Sequence, residues 1–300
     1  MAPDQEPDPR RDCQTIARHL ATVAFPWDTT RALELALFRT FAAARIAGLL
    51  HASGEFERRP QKRYDDTDLL VSEIIEHGCD SPRGSRAIAR INALHGRFRI
   101  ANDDFLYVLS SFVFEPIRWN ARFGWRRMTA TEIFAWFWFW RQVGERMSIR
   151  DIPEDYAEFE RYSRQYETDN FRCTAASQRV ALATRDLFAA WFPALLRPLV
   201  RSSIHALLDP PLLAAFALRP APRWLAWLAE SALRARARAL RWLPKRRQAK
   251  LRTQVPRPDY PAGYQIESLG PPPAGPADGV AALRCPFSGQ HSAASRATER

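Results

Sequence analysis

The chain has 300 residues, of which 46% are hydrophobic and ten are tryptophan, and it carries a net charge of +11 at pH 7. This composition can fill a sizeable core. Four widely spaced cysteines with no secretory signal predict free thiols in a reducing cytoplasm rather than a disulfide framework. The positive charge favours an anionic partner such as a membrane surface, whereas no motif indicates specific binding of nucleic acid.

The two ends differ in composition from the middle of the chain. Residues 1–12 are rich in Pro, Asp and Arg, and residues 253–300 are rich in Pro, Gly, Ala and Ser. Both lack the periodic apolar residues that would offset the entropy of ordering, so we expect mostly disordered tails flanking a single domain over 13–252. No uncharged apolar stretch reaches the roughly 18 residues that suggest a membrane span. The sequence therefore predicts a cytoplasmic protein with no signal peptide and no transmembrane span.

Apolar spacing predicts helices throughout the domain, and runs that alternate like strands are nearly absent. The predicted class is therefore all-α. Gly54 and Gly78 are expected to end helices, residues 102–104 to cap one, and Thr129 with Glu132 to form a capping box. The predicted helices, in chain order, cover 30–50, 64–77, 82–99, 105 to a break at Pro116, 130–147, 153–166, 174–192, 197–208 and 222–243.

The last predicted helix, 222–243, combines many arginines with an apolar side that contains Trp224, Trp227 and Trp242, and basic residues continue to Arg252. This combination is typical of a helix at an anionic membrane interface, which would make the protein peripheral on the membrane. A solvated helix whose arginine stems cover the domain fits the same pattern.

His95 lies on an otherwise apolar helix face together with Ile88, Ile91 and Phe98. A buried neutral imidazole is a metal or haem ligand in some proteins and a hydrogen-bonded core residue in more. The common hydrolase, kinase, dinucleotide and di-iron motifs are missing. A helical bundle with one such histidine and many aromatic residues suits a haem pocket, although a Trp-rich core without a cofactor would look similar. We expect His205, on a later helix, to have a packing role.

The segment 90–100, Arg-Ile-Asn-Ala-Leu-His-Gly-Arg-Phe-Arg-Ile, together with 63–67 and 102–109, resembles the MpaB-type oxygenases. That family shares a domain with the latex-clearing rubber oxygenases. Weaker similarities follow in the same order as far as 260–264, so the resemblance covers roughly residues 30–265. It implies a globin-like helical core with additional helices, a b-type haem, and dioxygen as co-substrate.

The resemblance also implies site residues. His95 would be the axial iron ligand, with Arg99 completing a His-x-x-x-Arg segment, and Arg63 and Thr67 would lie on the distal side. Where the rubber enzymes have a distal lysine just before that threonine, this chain has Asp66. This departure leaves the sixth iron ligand open and argues against rubber as the substrate. The alternative for Arg63 is a surface cation beside Asp65.

The resemblance therefore implies a haem-dependent oxygenase that cleaves a carbon–carbon double bond in an isoprenoid or lipid-like side chain and yields a carbonyl product. Its substrate would be a hydrophobic small molecule, and the aromatic run 134–140 could wall its pocket. One alternative is a helical protein that binds haem or lipid at the membrane surface without turnover, as a carrier or sensor. Another is an interfacial membrane protein that acts through its basic helix.

Overall fold

A computed structural model describes residues 6–271, and this part of the chain is all-α, as predicted. Two isolated bridges, Ala43 with Phe171 and Arg257 with Tyr260, are its only β pairings. The helices are α1 (Cys13–His19), α2 (Pro26–Ala42), α3 (Ala44–Ser53), α4 (Glu55–Arg58), α5 (Pro60–His77), α6 (Pro82–His95), α7 (Asn102–Phe123), α8 (Ala130–Arg146), α9 (Tyr156–Asn170), α10 (Ala175–Ala190), α11 (Arg197–Leu207), α12 (Pro210–Ala215) and α13 (Arg223–Trp242).

Several helix ends lie where local sequence chemistry predicted them. Gly54 ends α3 in the left-handed conformation, with φ of 67°, and Gly78 ends α5 with φ of 92°. The capping box before α8 is present: the Thr129 side chain accepts from Glu132 N at 3.2 Å, and Thr129 N donates to the Glu132 carboxylate at 2.8 Å. These features need only neighbouring residues, so the sequence predicts them well.

Two predicted helices are wrong in their continuity. The predicted helix 30–50 is two helices, because Ala43 takes an extended conformation and pairs with Phe171. Conversely, α7 does not break at Pro116 but continues through it. Proline lacks the N–H that would bond the Phe112 carbonyl one turn earlier. The Trp136 indole N–H of α8 donates to that carbonyl instead, at 3.1 Å, so the backbone stays satisfied.

Three predicted boundaries are corrected. Helix α6 ends at His95 rather than 99, since the chain then closes shorter turns such as Phe98 N to His95 O at 3.0 Å. Helix α9 begins after Asp155, whose side chain caps the Glu158 N–H at 2.7 Å, rather than at Pro153. Residues 102–104 do not cap α7 with their side chains, because they form its first turn and the N-cap position is Ala101, which has no capping side chain.

Asn102 and Asp104 show where those side chains go. The Asn102 amide exchanges two hydrogen bonds with the Arg150 backbone, at 2.9 and 3.0 Å. Buried Asp104 pairs with Arg45 of α3 at 2.7 Å and accepts from Tyr166 of α9. These polar residues therefore join α7 to its neighbours.

Two large apolar clusters form the core, and α5 contributes to both. Leu69 and Leu70 belong to the first, and Tyr64 belongs to the second with phenylalanines of α2 and α10. The aromatic run of α8 lies in the first cluster rather than around an open pocket, with Phe134 exposed. The buried members of this run are Trp136, Phe137, Phe139 and Trp140.

Part of the predicted disordered C-terminal tail is packed. Residues 253–271 run along α5 and α6, with Ile266 and Leu269 buried in the first core cluster. Thr253 and Tyr264 donate to acidic side chains of α5. The expectation of disorder from residue 253 is therefore wrong as far as 271, because these residues partner α5 over a long sequence separation. The rest of the predicted tail, 272–300, lies outside the described residues.

At the other end, residues 6–12 also contact the domain, with the Arg10 guanidinium 4.4 Å from the centre of the Trp138 ring. Residues 1–5 lie outside the described range. Cys13, Cys79 and Cys173 are free thiols, as predicted, and Cys285 is not described. Within residues 6–271, no helix combines the length and the apolar content that crossing a bilayer requires.

Candidate functional site

His95 is the last residue of α6, and its imidazole packs against Phe105 with ring centres 5.2 Å apart. Its Nδ1 atom is buried and has no hydrogen-bond partner among residues 6–271. Burial lowers the pKa of His95 to about 4, and the positive charge of Arg63 acts in the same direction. The imidazole is therefore neutral at pH 7, the form that can bind a metal.

Arg63 and Thr67 lie one turn apart on α5 and contact each other. The Arg63 Nη1 donates to the Thr67 hydroxyl, which in turn donates to the Arg63 carbonyl at 3.0 Å. The guanidinium also stacks over Phe56, 5.0 Å from the ring centre. Burial lowers the pKa of Arg63. The alternative of a surface cation paired with Asp65 is therefore wrong, and the fold brings Arg63 near enough to His95 to affect its charge.

A small cavity of about 10 Å³ opens beside Arg63 and Thr67. This volume holds about one water molecule. Its polar lining comes from α5 and α10, and the rest of its wall is apolar. The lining residues are Leu37, Phe56, Pro60, Arg63, Tyr64, Thr67, Thr184 and Leu187.

Asp66 and Arg99, like His95, are not among the residues that line the cavity beside Arg63. Asp66 is buried and bonds Lys62, 2.9 Å away, and the Tyr260 hydroxyl. Lys62 also donates to Tyr260 at 2.8 Å and to the Gly270 carbonyl at 3.2 Å, so this group holds the C-terminal segment on α5. Arg99 is exposed beyond the end of α6.

Tyr64 and Glu34 belong to the site but had no role in the sequence prediction. Tyr64 lines the cavity and donates to the Glu34 carboxylate at 2.6 Å. Glu34 is buried and also pairs with Arg31 at 2.6 Å. Burial raises the pKa of Glu34 to about 7. The sequence contained one signal for Glu34, an acidic residue among apolar positions of a long predicted helix. A buried acidic side chain without a partner is rare, so this position indicates a paired group.

His205 has a packing role, as expected. Its Nδ1 lies 3.1 Å from the Arg219 carbonyl, and its Nε2 lies 3.4 Å from Arg185. Burial lowers the pKa of His205. Both ring nitrogens thus have protein partners, in contrast to His95.

A larger cavity of about 360 Å³ lies at another place, around Arg39. Arg39 bonds Glu167 through two nitrogens, at 2.6 and 2.7 Å, and Asp209 at 2.7 Å. The arginines and carboxylates that line this cavity largely form ion pairs with one another. This cavity therefore has ion-paired walls, whereas the His95 region keeps a neutral imidazole beside an arginine that forms no ion pair in the described part of the chain.

Metal binding by several protein ligands has no basis in residues 6–271, where no group of three or more His, Cys, Asp or Glu side chains could hold an ion. A haem iron needs less from the protein, since the porphyrin supplies four ligands and one imidazole the fifth. His95 is a suitable donor for such a group.

Comparison with known proteins shows where the similarity lies. The family model described as "ER-bound oxygenase mpaB/B'/Rubber oxygenase, catalytic domain" matches residues 16–249. ER-bound oxygenase mpaB of Penicillium brevicompactum is 32% identical over 140 residues, covering 45% of this chain and 36% of that protein. The mpaB of Penicillium roqueforti is 33% identical over 140 residues, covering 45% of this chain and 47% of that protein. The match thus spans less than half the length of either relative.

Proposed function

The chain belongs to the family of ER-bound mpaB/B′ oxygenases and rubber oxygenase catalytic domains, and from this premise we propose that it is a haem-dependent oxygenase. The reaction would cleave a carbon–carbon double bond of an isoprenoid or lipid-like side chain with dioxygen and yield a carbonyl product. The observation that carries the proposal is the partly buried His95, whose Nδ1 atom is buried and has no partner among the described residues, within electrostatic range of the partly buried Arg63.

The residues present fit a haem in donor chemistry. His95 would hold the haem iron through its imidazole, because its lowered pKa keeps the ring neutral and free of competing protons. When bound, haem would supply the redox chemistry of its iron toward dioxygen. The cavity beside Arg63 has room for about one water molecule, so binding the porphyrin requires the side chains around it to move apart.

Arg63 and Thr67 would supply the electrostatics of the reaction. A guanidinium in a water-poor site stabilises negative charge that develops on oxygen more strongly than it would in bulk water. The Thr67 hydroxyl accepts from Arg63 and so holds its orientation. Leu37, Phe56 and Leu187 make the wall apolar, which excludes water and suits a lipid-like side chain.

An absorbance spectrum of the purified protein tests the cofactor assignment. We expect a Soret band in the wild type and its loss in His95→Ala, with helix content unchanged by circular dichroism. His205→Ala is the matched control and should retain haem, because both His205 nitrogens already have protein partners. Full haem occupancy in His95→Ala would rule out His95 as the residue that holds the haem iron. Haem binding without dioxygen-dependent product would instead favour the carrier or sensor.

We also propose that α13 attaches the protein peripherally to anionic membranes. Trp224, Trp227 and Trp242 are exposed on this helix, which supports an interfacial position. Some of its arginines are tied to the domain instead: Arg236 pairs with Asp28 at 3.0 Å. The attraction to lipid would therefore come from the exposed cations.

A further inference from the structure

Segment 190–199, which runs from the last residue of α10 through the connection into the first turn of α11, is exposed and apolar. Arg197 is its one charged residue, and its nine other side chains are exposed. Leu195 at its centre is 90% exposed. Contiguous exposed apolar residues on a protein surface mark a site of interaction. The large apolar residues exposed in this segment are Trp191, Phe192, Leu195, Leu196 and Leu199.

The segment is held in a defined shape, although it does not fold back on the core. Leu196 N bonds Pro193 O at 2.9 Å, and the Arg197 Nε donates to the Phe192 carbonyl at 3.2 Å. At its base the Trp191 indole donates to Gln61 at 2.8 Å. These contacts hold the backbone of the segment in place. The leucine side chains are therefore exposed although the segment is ordered.

We propose that segment 190–199 inserts into the interfacial layer of a phospholipid bilayer that contains anionic lipids. Aromatic residues at the base and leucines at the tip match the distribution of side chains across a membrane interface. The flanking charge fits this partner as well, since Arg185, Arg197 and Arg201 outnumber Asp186 around the base. Helix α11, in which the segment ends, also contacts the basic helix α13.

The position of the segment connects the membrane to the candidate site. The Trp191 ring lies 5.1 Å from the Tyr64 ring, and Tyr64 lines the cavity that contains Arg63 and Thr67. Leu187, one turn before Trp191 on α10, lines it too. A lipid-like compound that leaves the bilayer here would meet Trp191 and then the cavity wall. This access route rests on the proposed function, whereas the bilayer contact does not.

Cosedimentation with vesicles of phosphatidylcholine and phosphatidylglycerol tests the bilayer contact. The informative variant is Leu195→Glu combined with Leu199→Glu, because Leu195 is 90% exposed, Leu199 is 44% exposed, and neither belongs to the buried core. At about 1 M salt, where charge attraction is screened within a few ångströms, the wild type should still bind. The double variant should bind vesicles about a hundredfold more weakly. Replacing each leucine removes apolar transfer free energy that corresponds to roughly a tenfold change in affinity.

The matched control is Phe134→Glu combined with Val255→Glu, which places the same charges at exposed apolar positions outside the segment. It should bind vesicles like the wild type. The proposal is overturned if the double leucine variant binds as tightly as the wild type, or if the wild type fails to bind. It is also overturned if gel filtration shows a wild-type dimer that the leucine variant dissociates. None of these readouts needs haem or turnover, so they are independent of the proposed oxygenase activity.

Discussion

At the scale of single residues, the partly buried Arg63 differs from Arg39 and Arg257, the two buried arginines in the described part of the chain, which both pair with carboxylates. Arg39 is surrounded by carboxylates, as a buried charge normally requires. Arg63 instead bonds the neutral hydroxyl of Thr67, and its positive charge lowers the pKa of His95. An incompletely compensated cation costs stability, and such groups are concentrated at functional sites. This contrast favours Arg63, rather than the charged cavity, as part of the reacting site.

Replacing Arg63 tests its role in turnover. Arg63→Ala should keep haem yet slow dioxygen-dependent product formation, because one charge-assisted donor in a dry site contributes on the order of 2–4 kcal/mol to the transition state. The matched control is Arg59→Ala on the exposed side of the same segment, where Arg59 pairs with Glu55. It should retain wild-type rates. Equal rates for Arg63→Ala and the wild type would remove Arg63 from the mechanism.

Glu34 makes stability depend on pH in a defined direction. Burial raises its pKa from 4.5 to about 7, so the folded protein keeps a proton that the unfolded chain releases. Its contribution is therefore complete below pH 4.5 and is lost as the pH rises toward 7. In the wild type this loss should amount to roughly 3 kcal/mol of unfolding free energy. The Glu34→Gln variant should not show it.

Urea unfolding across this pH range measures the difference between wild type and Glu34→Gln. The exposed Glu158→Gln is the control, because Glu158 forms no ion pair among the described residues, and its profile should follow that of the wild type. Parallel profiles for Glu34→Gln and wild type would show that Arg31 and Tyr64 keep Glu34 ionised, contrary to this expectation.

At the scale of elements, the contact between α5 and α6 depends on a glycine. A Cβ atom added at Gly84 would lie 1.8 Å from the carbonyl oxygen of Gly78, which no side chain can tolerate. This close approach sets the start of α6, and therefore the placement of His95 at its end relative to Arg63. Glycine at 84 is needed for its lack of a side chain, since its backbone is helical.

Gly84→Ala should push α6 away from the end of α5. We expect a loss of about 1–3 kcal/mol in unfolding free energy, as for other overpacked contacts, together with weaker haem retention. Gly48→Ala on α3 is the control, because nothing lies within 4 Å of its added Cβ. It should leave stability unchanged or raise it by up to about 1 kcal/mol. Thermal unfolding and the Soret absorbance of both variants would measure this, and similar values for the two would contradict it.

At the scale of the whole molecule, the C-terminal segment completes the surface of α5. The Arg252 backbone N–H and the Thr253 hydroxyl donate to Glu76, and Arg252 also pairs with Asp68 at 2.8 Å. Tyr264 donates to Glu73. Without this segment, acidic side chains of α5 would lose these hydrogen-bonding partners. The segment therefore belongs to the folded unit that holds Arg63 in place.

The net charge of +11 predicts that the proposed membrane attachment would depend on salt. We expect binding to anionic vesicles at low salt to weaken when the exposed Arg238, Arg246 and Arg247 become Gln, by roughly 1 kcal/mol for each cation. Arg236→Gln, which removes a partner of buried Asp28, should instead lower thermal stability. Cosedimentation over a salt series compares the variants. Equal low-salt binding by the triple variant and the wild type would make α13 and the basic residues that follow it a solvated face of the domain.

The sequence by itself determined the helical class, many helix ends and the candidate pair His95 and Arg63. Helix ends at Gly54, Gly78 and Thr129 follow from hydrogen bonds that reach at most a few residues along the chain. The resemblance around 90–100 and 63–67 predicted candidate site residues, although it did not predict the contacts of Asp66 with Lys62 and Tyr260. These features were predictable because they depend on local chemistry or on a short sequence pattern.

The tertiary structure alone decided which partners distant residues find. Pro116 stays inside α7 because Trp136, from another helix, bonds the carbonyl that proline leaves free. Asp66 turns to Tyr260 of a segment that the composition indicated as disordered. Leu195 is exposed although its residue type favours burial. Apolar spacing predicts that one face of a helix is buried. It does not predict which element packs against that face, because this depends on contacts between residues far apart in the chain.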